Sequence, residues 1–294
     1  MSTTYGPSDE EQSLATLRRA VELGVTLFDT AEAYGLGENE RLVGRALAPF
    51  RNDVAIATKV GFGYTDDGQM AVVDGRAVVD GRPEHIVRAI EGSLGRLGLD
   101  RIDLVCLHRI DPTVPIEETV SAMAGLVKAG KVGHLGPSEA SANTIRRAHA
   151  VHPMTAVQTE YSLFERGVEA NGVLATVREL GVGFVPYPPL GRGFLTGRLK
   201  PEQLDASDFR TFDPRLQGEN LAANLRIVDA IGRIAADKGV APSQLAIAWT
   251  IAQGGVPIPG TRRVRYLEEN VAAVDIALTA DELAAQRRIR DSNS

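Results

Sequence analysis

The chain has 294 residues, of which 44% are hydrophobic and 24% charged, and it carries a formal net charge of −6. That length suits one large α/β barrel or two average domains around a full-sized core. The acidic balance argues against nucleic acid or anionic membrane as partner, no stretch approaches the roughly 18 apolar residues of a membrane span, and the single cysteine, Cys106, allows no internal disulfide.

The start, Met1 to Pro7, lacks the apolar segment of a signal peptide, so the chain is expected to be cytoplasmic. A helix is predicted over Asp9–Leu23, where Leu14, Leu17, Ala20, Val21 and Leu23 recur at helical spacing behind a Ser8 N-cap. Strand Val25–Asp29, helix Glu38–Leu47 and strand Val54–Thr58 follow. Gly61–Gly81, rich in Gly and Asp, reads as an irregular segment. Then come helix Pro83–Leu97, strand Ile102–Leu107 with Cys106 as buried filler, helix Pro115–Ala129 and strand Val132–Gly136. Helix Ser141–Val151, strand Thr155–Gln158, helix Glu165–Leu180 and strand Gly183–Pro186 continue the rhythm. A second irregular segment, Pro188–Gly218, precedes helices Asn220–Lys238 and Pro242–Gln253 and a last strand, Gly255–Ile258. Pro83, Pro115 and Pro242 suit first helical turns. Gly24, Gly98, Gly130, Gly181 and Gly239 stand where helices should stop.

Strand–helix units repeated in this way imply a parallel α/β sheet, and the short branched runs imply strands buried on both faces. The fold expected is a single-domain TIM-type (β/α)8 barrel over residues 1–294. Seven strands are predicted where a closed ring needs eight, so the first strand is expected to be missing. In such a barrel the loops after the strands build the active face, and long loops are usually functional.

Four titratable residues lie at or just beyond strand ends: Asp29, Tyr34, Lys59 and His108. A carbonyl oxygen gains negative charge as hydride reaches its carbon, and it then needs a proton donor. A free tyrosine, with pKa about 10, is a poor acid near neutrality, but a neighbouring ammonium stabilises the phenolate. Asp29 can orient Lys59 through a charge-assisted hydrogen bond, and His108 can hold the substrate oxygen. Singly, each residue has a bland reading as a helix cap, a solvated lysine or a turn residue; the combination points to chemistry.

Phe28-Asp-Thr-Ala-Glu-Ala-Tyr-Gly35, Ala57-Thr-Lys59 and Leu107-His-Arg-Ile-Asp-Pro112 resemble the aldo-keto reductases, and the likeness runs from about Tyr5 to Asp281. The resemblance implies Tyr34 as general acid, Lys59 as the ammonium that tunes it, Asp29 as the partner of Lys59 and His108 as substrate orienter. It implies NADP(H) as cofactor and a small carbonyl compound as substrate, with no metal. No G-x-G-x-x-G motif follows a strand, which disfavours a Rossmann domain and fits that family. The resemblance places Ser138 and Gln158 on the nicotinamide carboxamide and Tyr187 against its ring. It lays the loop through Gly191, Gly193 and Leu195 over the pyrophosphate and counts Leu190 among the cofactor contacts. Three arginines, Arg262, Arg263 and Arg265, stand at a predicted helix start, where backbone N–H groups and guanidinium groups suit a phosphate. They are expected to hold the adenosine 2′-phosphate, with Gly260 and Thr261 among the cofactor contacts, and the resemblance places Glu269 and Asn270 on the adenine.

The sequence departs from the family's pattern in places. Glu139 stands where many relatives have Asn, and Pro188 where they have Ser. The family's opening hairpin and first strand are expected to be absent, through a start placed too far downstream. Val25–Asp29 and Gly255–Ile258 would then expose edges open to pairing with a second copy. Two alternatives to a working reductase remain at this stage: a non-catalytic NADP(H)-binding regulatory subunit of the same fold, and an inactive truncated remnant.

Overall fold

The computed structural model describes residues 9–200, 202, 204, 205 and 208–284. Six parallel strands carry the site: β1 (Leu27–Asp29), β2 (Ala55–Val60), β5 (Ile102–Leu107), β6 (Val132–Pro137), β7 (Ala156–Glu160) and β8 (Gly183–Tyr187). β1, β2, β5 and β6 pair in that order, and β7 pairs with β8. The two groups join where Thr155 N donates to Leu135 O at 2.8 Å and Glu139 N to Gln158 O at 3.0 Å, with a parallel bridge between Ser138 and Gln158.

The predicted last strand is only partly realised. In segment 255–258, Val256 N donates to Phe184 O at 2.9 Å and Ile258 N to Pro186 O at 3.4 Å, so it runs beside β8. It is not a regular strand, because Pro257 and Pro259 supply no N–H to a ladder. The missing first strand concerns the N-terminal end, where residues 1–8 lie outside the described residues. Among the described residues no backbone hydrogen bond joins β1 to 255–258.

The helices cover the sheet from outside: α1 (Glu10–Glu22), α2 (Glu38–Leu47), α3 (Pro83–Leu97), α4 (Ile116–Lys128), α5 (Ala142–Val151), α6 (Gly167–Ala170), α7 (Val173–Leu180), α8 (Gly218–Lys238), α9 (Pro242–Ala252) and α10 (Val264–Val271). Asp9 is the N-cap of α1, its side chain accepting from Gln12 N; the proposed cap Ser8 lies outside the described residues. Helix Glu165–Leu180 is two helices, broken at Gly172, whose φ of 85° suits glycine. Pro115 caps α4 rather than opening it.

Ile56, Val105, Leu135 and Val157 of the sheet and Ile86, Ile90, Ile145 and Ile231 of the helices are buried in one continuous core. Each such side chain contributes about 1.5–3 kcal/mol by leaving water. The segment Gly61–Gly81 is more ordered than its composition predicts. It holds a hairpin, β3 (Val72–Val73) and β4 (Arg76–Ala77), turned by Asp74 and Gly75, both at positive φ. No helix among the described residues is long and apolar enough to cross a membrane.

Candidate active site

The parallel strands deliver their C-terminal ends to one mouth. Asp29 closes β1, Lys59 lies near the end of β2 and His108 follows β5. Tyr34 sits on the turn between β1 and α2. The structure brings all four together.

The Lys59 ammonium, buried with its side chain 2% exposed, forms an ion pair with Asp29. It also donates to Thr30 O at 2.7 Å and to Tyr34 Oη at 3.3 Å. Burial pushes the Lys59 pKa down, but the Asp29 carboxylate and the Tyr34 phenol more than offset it, so the pKa lies above its ordinary value. The lysine therefore stays charged in its dry site. Asp29 uses its second oxygen to accept from Gln158 Nε2 at 2.8 Å, which fixes the carboxylate from the far side of the sheet.

His108 stands edge-on to Tyr34, ring centroids 5.9 Å apart, and packs against Phe62 at 4.8 Å. Burial, with Lys59 and Arg109 nearby, lowers its pKa to about 2. The imidazole is thus neutral, and its Nδ1 is buried without a hydrogen-bond partner. Cys106 is buried beside this cluster and burial raises its thiol to about 12, which leaves it inert as filler.

The residues expected along the cofactor follow the same rim. Ser138 and Gln158 are bridged neighbours at the ends of β6 and β7. Ser138 is 1% exposed, yet its Oγ has no hydrogen-bond partner. Tyr187 ends β8 and donates through its hydroxyl to Glu139 Oε1 at 2.7 Å. Leu190 leads into a tight turn with Gly191, Arg192 and Gly193 at φ 52°, 57° and 94°. Phe194 of this turn is seated against Leu216 and Val228.

At the other end, Gly260 and Thr261 lead to Arg263, the N-cap of α10, and Arg265 lies in its first turn. The carbonyl of Arg262 accepts from Thr16 Oγ1 at 3.2 Å, tying this segment to α1. Glu269 is engaged within the protein: it pairs with Arg198 at 2.9 Å and accepts from Ser243. Asn270 is buried. Sequence reasoning missed the group behind Tyr34, namely Glu32, Glu40 and Arg96, because its contacts are far apart in the chain. It also missed the bond from Gln158 to Asp29.

Comparison with known proteins agrees with this arrangement. The model of the aldo/keto reductase family matches residues 1–291. The chain belongs to that family. The NADP(+)-designated aldo-keto reductase yakc of Schizosaccharomyces pombe is 44% identical over 282 residues, covering 94% of this chain and 81% of that protein. A glycerol dehydrogenase from Gluconobacter oxydans superposes with a TM-score of 0.88 at 28% identity, over 99% of this chain and 89% of that one. An aldo/keto reductase from Klebsiella pneumoniae, solved with NADP and acetate, gives 0.73 at 28% identity, over 98% and 89%. These likenesses make the fold of this aldo/keto reductase an α/β barrel of the (β/α)8 type, and the sheet described above is most of its ring.

Proposed function

We propose that this family member reduces an aldehyde or ketone to the alcohol, with NADPH as hydride donor and Tyr34 as general acid. The cofactor is NADP(H), the cofactor with which the Klebsiella pneumoniae relative was solved and for which the Schizosaccharomyces pombe relative is named. The chain's own residues fit it. Ser138 offers a buried hydroxyl with no partner beside the Gln158 amide, which suits a carboxamide. Tyr187 offers an aromatic face, the turn through Leu190, Gly191 and Gly193, whose glycine N–H groups bond Pro188 O and Leu190 O, lets a ligand approach its backbone closely, and the segment Gly260 to Arg265 offers arginines for phosphates. Glu269 and Asn270 are assigned to the adenine end. When bound, NADPH supplies the hydride.

The remaining chemistry belongs to the protein. The carbonyl oxygen becomes negative as its carbon is reduced, and Tyr34 Oη gives it a proton. The phenolate left behind is stabilised by the Lys59 ammonium, which Asp29 holds in place. Neutral His108 offers a hydrogen bond to the substrate oxygen and fixes its approach. Phe62, packed on His108, forms part of the substrate wall.

The observation that carries this reading is the 3.3 Å contact from Lys59 Nζ to Tyr34 Oη, made by an ammonium already anchored on Asp29. The test is NADPH consumption with a panel of aldehydes. Tyr34→Phe should abolish turnover and leave NADPH affinity nearly unchanged. Binding without turnover in the wild type would make the protein a regulatory subunit, and neither would make it an inactive remnant. The free edge of β1, unpaired among the described residues, is the proposed seam for self-association, and a cytoplasmic location is proposed with it.

A further inference from the structure

The turn that carries Tyr34 is strained. Gly35, Leu36 and Gly37 all have positive φ, at 62°, 53° and 89°. Leu36 gains nothing from that region, and such strain persists only where the surroundings over-determine it. Several contacts do so. Asn39 N donates to Tyr34 O at 3.2 Å and Glu32 N to Lys59 O at 3.0 Å. Thr30 Oγ1 donates to Asn39 Oδ1 at 2.8 Å.

The brace from outside the turn is Arg96, on α3. Its Nε donates to Glu40 Oε2 at 2.6 Å, and Nη2 lies 3.7 Å from Glu32 Oε1. Glu32 precedes Tyr34 and Glu40 follows it, so one guanidinium grips both ends of the turn. Its stem lies on Gly37, where an added Cβ would meet Arg96 Cδ and come 2.7 Å from Nε. Glu40 is fully buried, and its other oxygen accepts from Thr58 Oγ1 at 2.5 Å. Around this brace three buried atoms lack hydrogen-bond partners: Glu32 Oε2, Asn39 Nδ2 and Tyr64 Oη.

We propose that Arg96 and Glu32 are positioning residues for Tyr34, and that the charge on Glu32 sets how firmly the guanidinium holds the turn. The inference rests on the reading of Tyr34 as proton donor. Glu32 faces Arg96 from α3, Glu40 from α2 and Tyr64 from the segment before the hairpin. Burial raises the Glu32 pKa to about 7, with Arg96 opposing and Glu40 reinforcing the shift. The ionised form therefore costs stability, yet it is the form that attracts the guanidinium. Below this point the protonated carboxyl relaxes its pull on Arg96 and frees the turn.

The test compares wild type, Glu32→Gln, Arg96→Lys and Tyr34→Phe, each as the full chain, with p-nitrobenzaldehyde and NADPH. Thermal midpoint, NADPH affinity and kcat are measured across the neutral range. Glu32→Gln mimics the protonated acid. It should melt higher than wild type on the alkaline side and bind NADPH within about twofold. Its kcat there should be lower by about tenfold, a loss within reach of a small misplacement. On the acid side the two proteins should converge. Arg96→Lys keeps a charge for Glu40 but loses the fork; it should lose kcat on both sides with KM for NADPH unchanged. Should Arg96→Lys fail to fold, Glu32→Gln alone decides. A Glu32→Gln profile that superposes on wild type overturns the inference while Tyr34→Phe remains dead. Turnover by Tyr34→Phe, or none by wild type, overturns the functional reading itself and this inference with it.

Discussion

The Tyr187 hydroxyl donates to the Glu139 carboxylate at 2.7 Å, and the same carboxylate oxygen accepts from Glu160 N at 2.7 Å. Burial raises the Tyr187 pKa, and Glu139 adds to the effect. The phenol therefore stays protonated as a donor. Glu139 pays for this in backbone conformation, with φ at 53°, where Asn is more at ease than Glu. Such a position costs about 1–3 kcal/mol unless its surroundings hold it.

If Tyr187 braces the nicotinamide, this bond orients it. Glu139→Ala and Tyr187→Phe should each weaken NADPH binding about fivefold, the loss of one hydrogen bond. The double variant should be little worse than either, because both remove the same interaction. Fluorescence titration of the four proteins measures the coupling. Fully additive losses would mean that the pair does not act as a unit.

The buried pair of Lys59 and Asp29 separates stability from chemistry. Lys59→Met should cut kcat by about a hundredfold or more, since proton transfer loses its electrostatic support. It should also destabilise the fold by about 3–5 kcal/mol, because it strands Asp29. Adding Asp29→Asn should recover much of that stability and none of the turnover. Urea midpoints and steady-state kinetics on the single and double variants read both effects. A double variant that stays as unstable as the single one would mean that packing, not charge, holds Lys59.

His108 and Glu32 bend the stability curve in opposite directions. The His108 pKa falls from 6.5 unfolded to about 2 folded, so between these values the unfolded state binds more protons and stability rises with pH. The Glu32 pKa rises from 4.5 to about 7, so in that window the native state binds more protons and stability falls as pH rises. The two slopes oppose each other between about pH 4.5 and 6.5. His108→Gln should flatten the acid limb, and Glu32→Gln should flatten the loss near neutrality. Thermal melts against pH check both; unchanged slopes in either variant would remove its residue from the account.

Most of the site was legible because each of Asp29, Tyr34, Lys59 and His108 stands at, or a few places beyond, an apolar run whose strand character is plain. Ile102–Leu107 could be read from its branched residues, whereas of Val25–Asp29 only Leu27–Asp29 is strand and the branched Val25 and Thr26 precede it. What failed to read has physical causes. Gly255–Ile258 looks like a strand by composition, but its prolines deny it a ladder. The hairpin at Val72–Ala77 carried a readable signal, Asp74-Gly75, inside a segment whose overall composition suggested a loop. The brace on Tyr34 could not be read, since Arg96 and Glu40 are 56 positions apart and only the packing of α2 on α3 brings them together.

Gly136 tests the junction on which the rim depends. It sits where β6 hands the sheet on to β7, and an added Cβ there would collide with the Ala156 carbonyl and lie 3.2 Å from Cys106 Sγ. Its φ is not positive, so the constraint is space rather than backbone freedom. Gly136→Ala should push the strands apart and cost about 1–3 kcal/mol. Because Ser138 and Gln158 are bridged just beyond this point, NADPH affinity should fall with it. Gly95→Ala, on α3 with open space around it, should cost nothing and gain a few tenths of a kcal/mol in helix propensity.

The arginines at the start of α10 are proposed to decide which dinucleotide is preferred. Arg263 and Arg265 are exposed, and Arg263 lies over the Tyr266 ring at 5.8 Å. Exposed arginines contribute little to stability, so replacing them should leave the melting point nearly unchanged. Toward a 2′-phosphate they matter more, because charge-assisted hydrogen bonds are about twice as strong as neutral ones. Arg263→Ala and Arg265→Ala should each weaken NADPH binding about tenfold and leave NADH binding nearly unaffected. The loss should shrink as salt is added, because the contact is exposed to screening. Titrating both dinucleotides at low and high ionic strength separates the outcomes. Equal losses for NADPH and NADH would move these arginines from the 2′-phosphate to the shared pyrophosphate, and no loss for either would leave them as a solvated helix start.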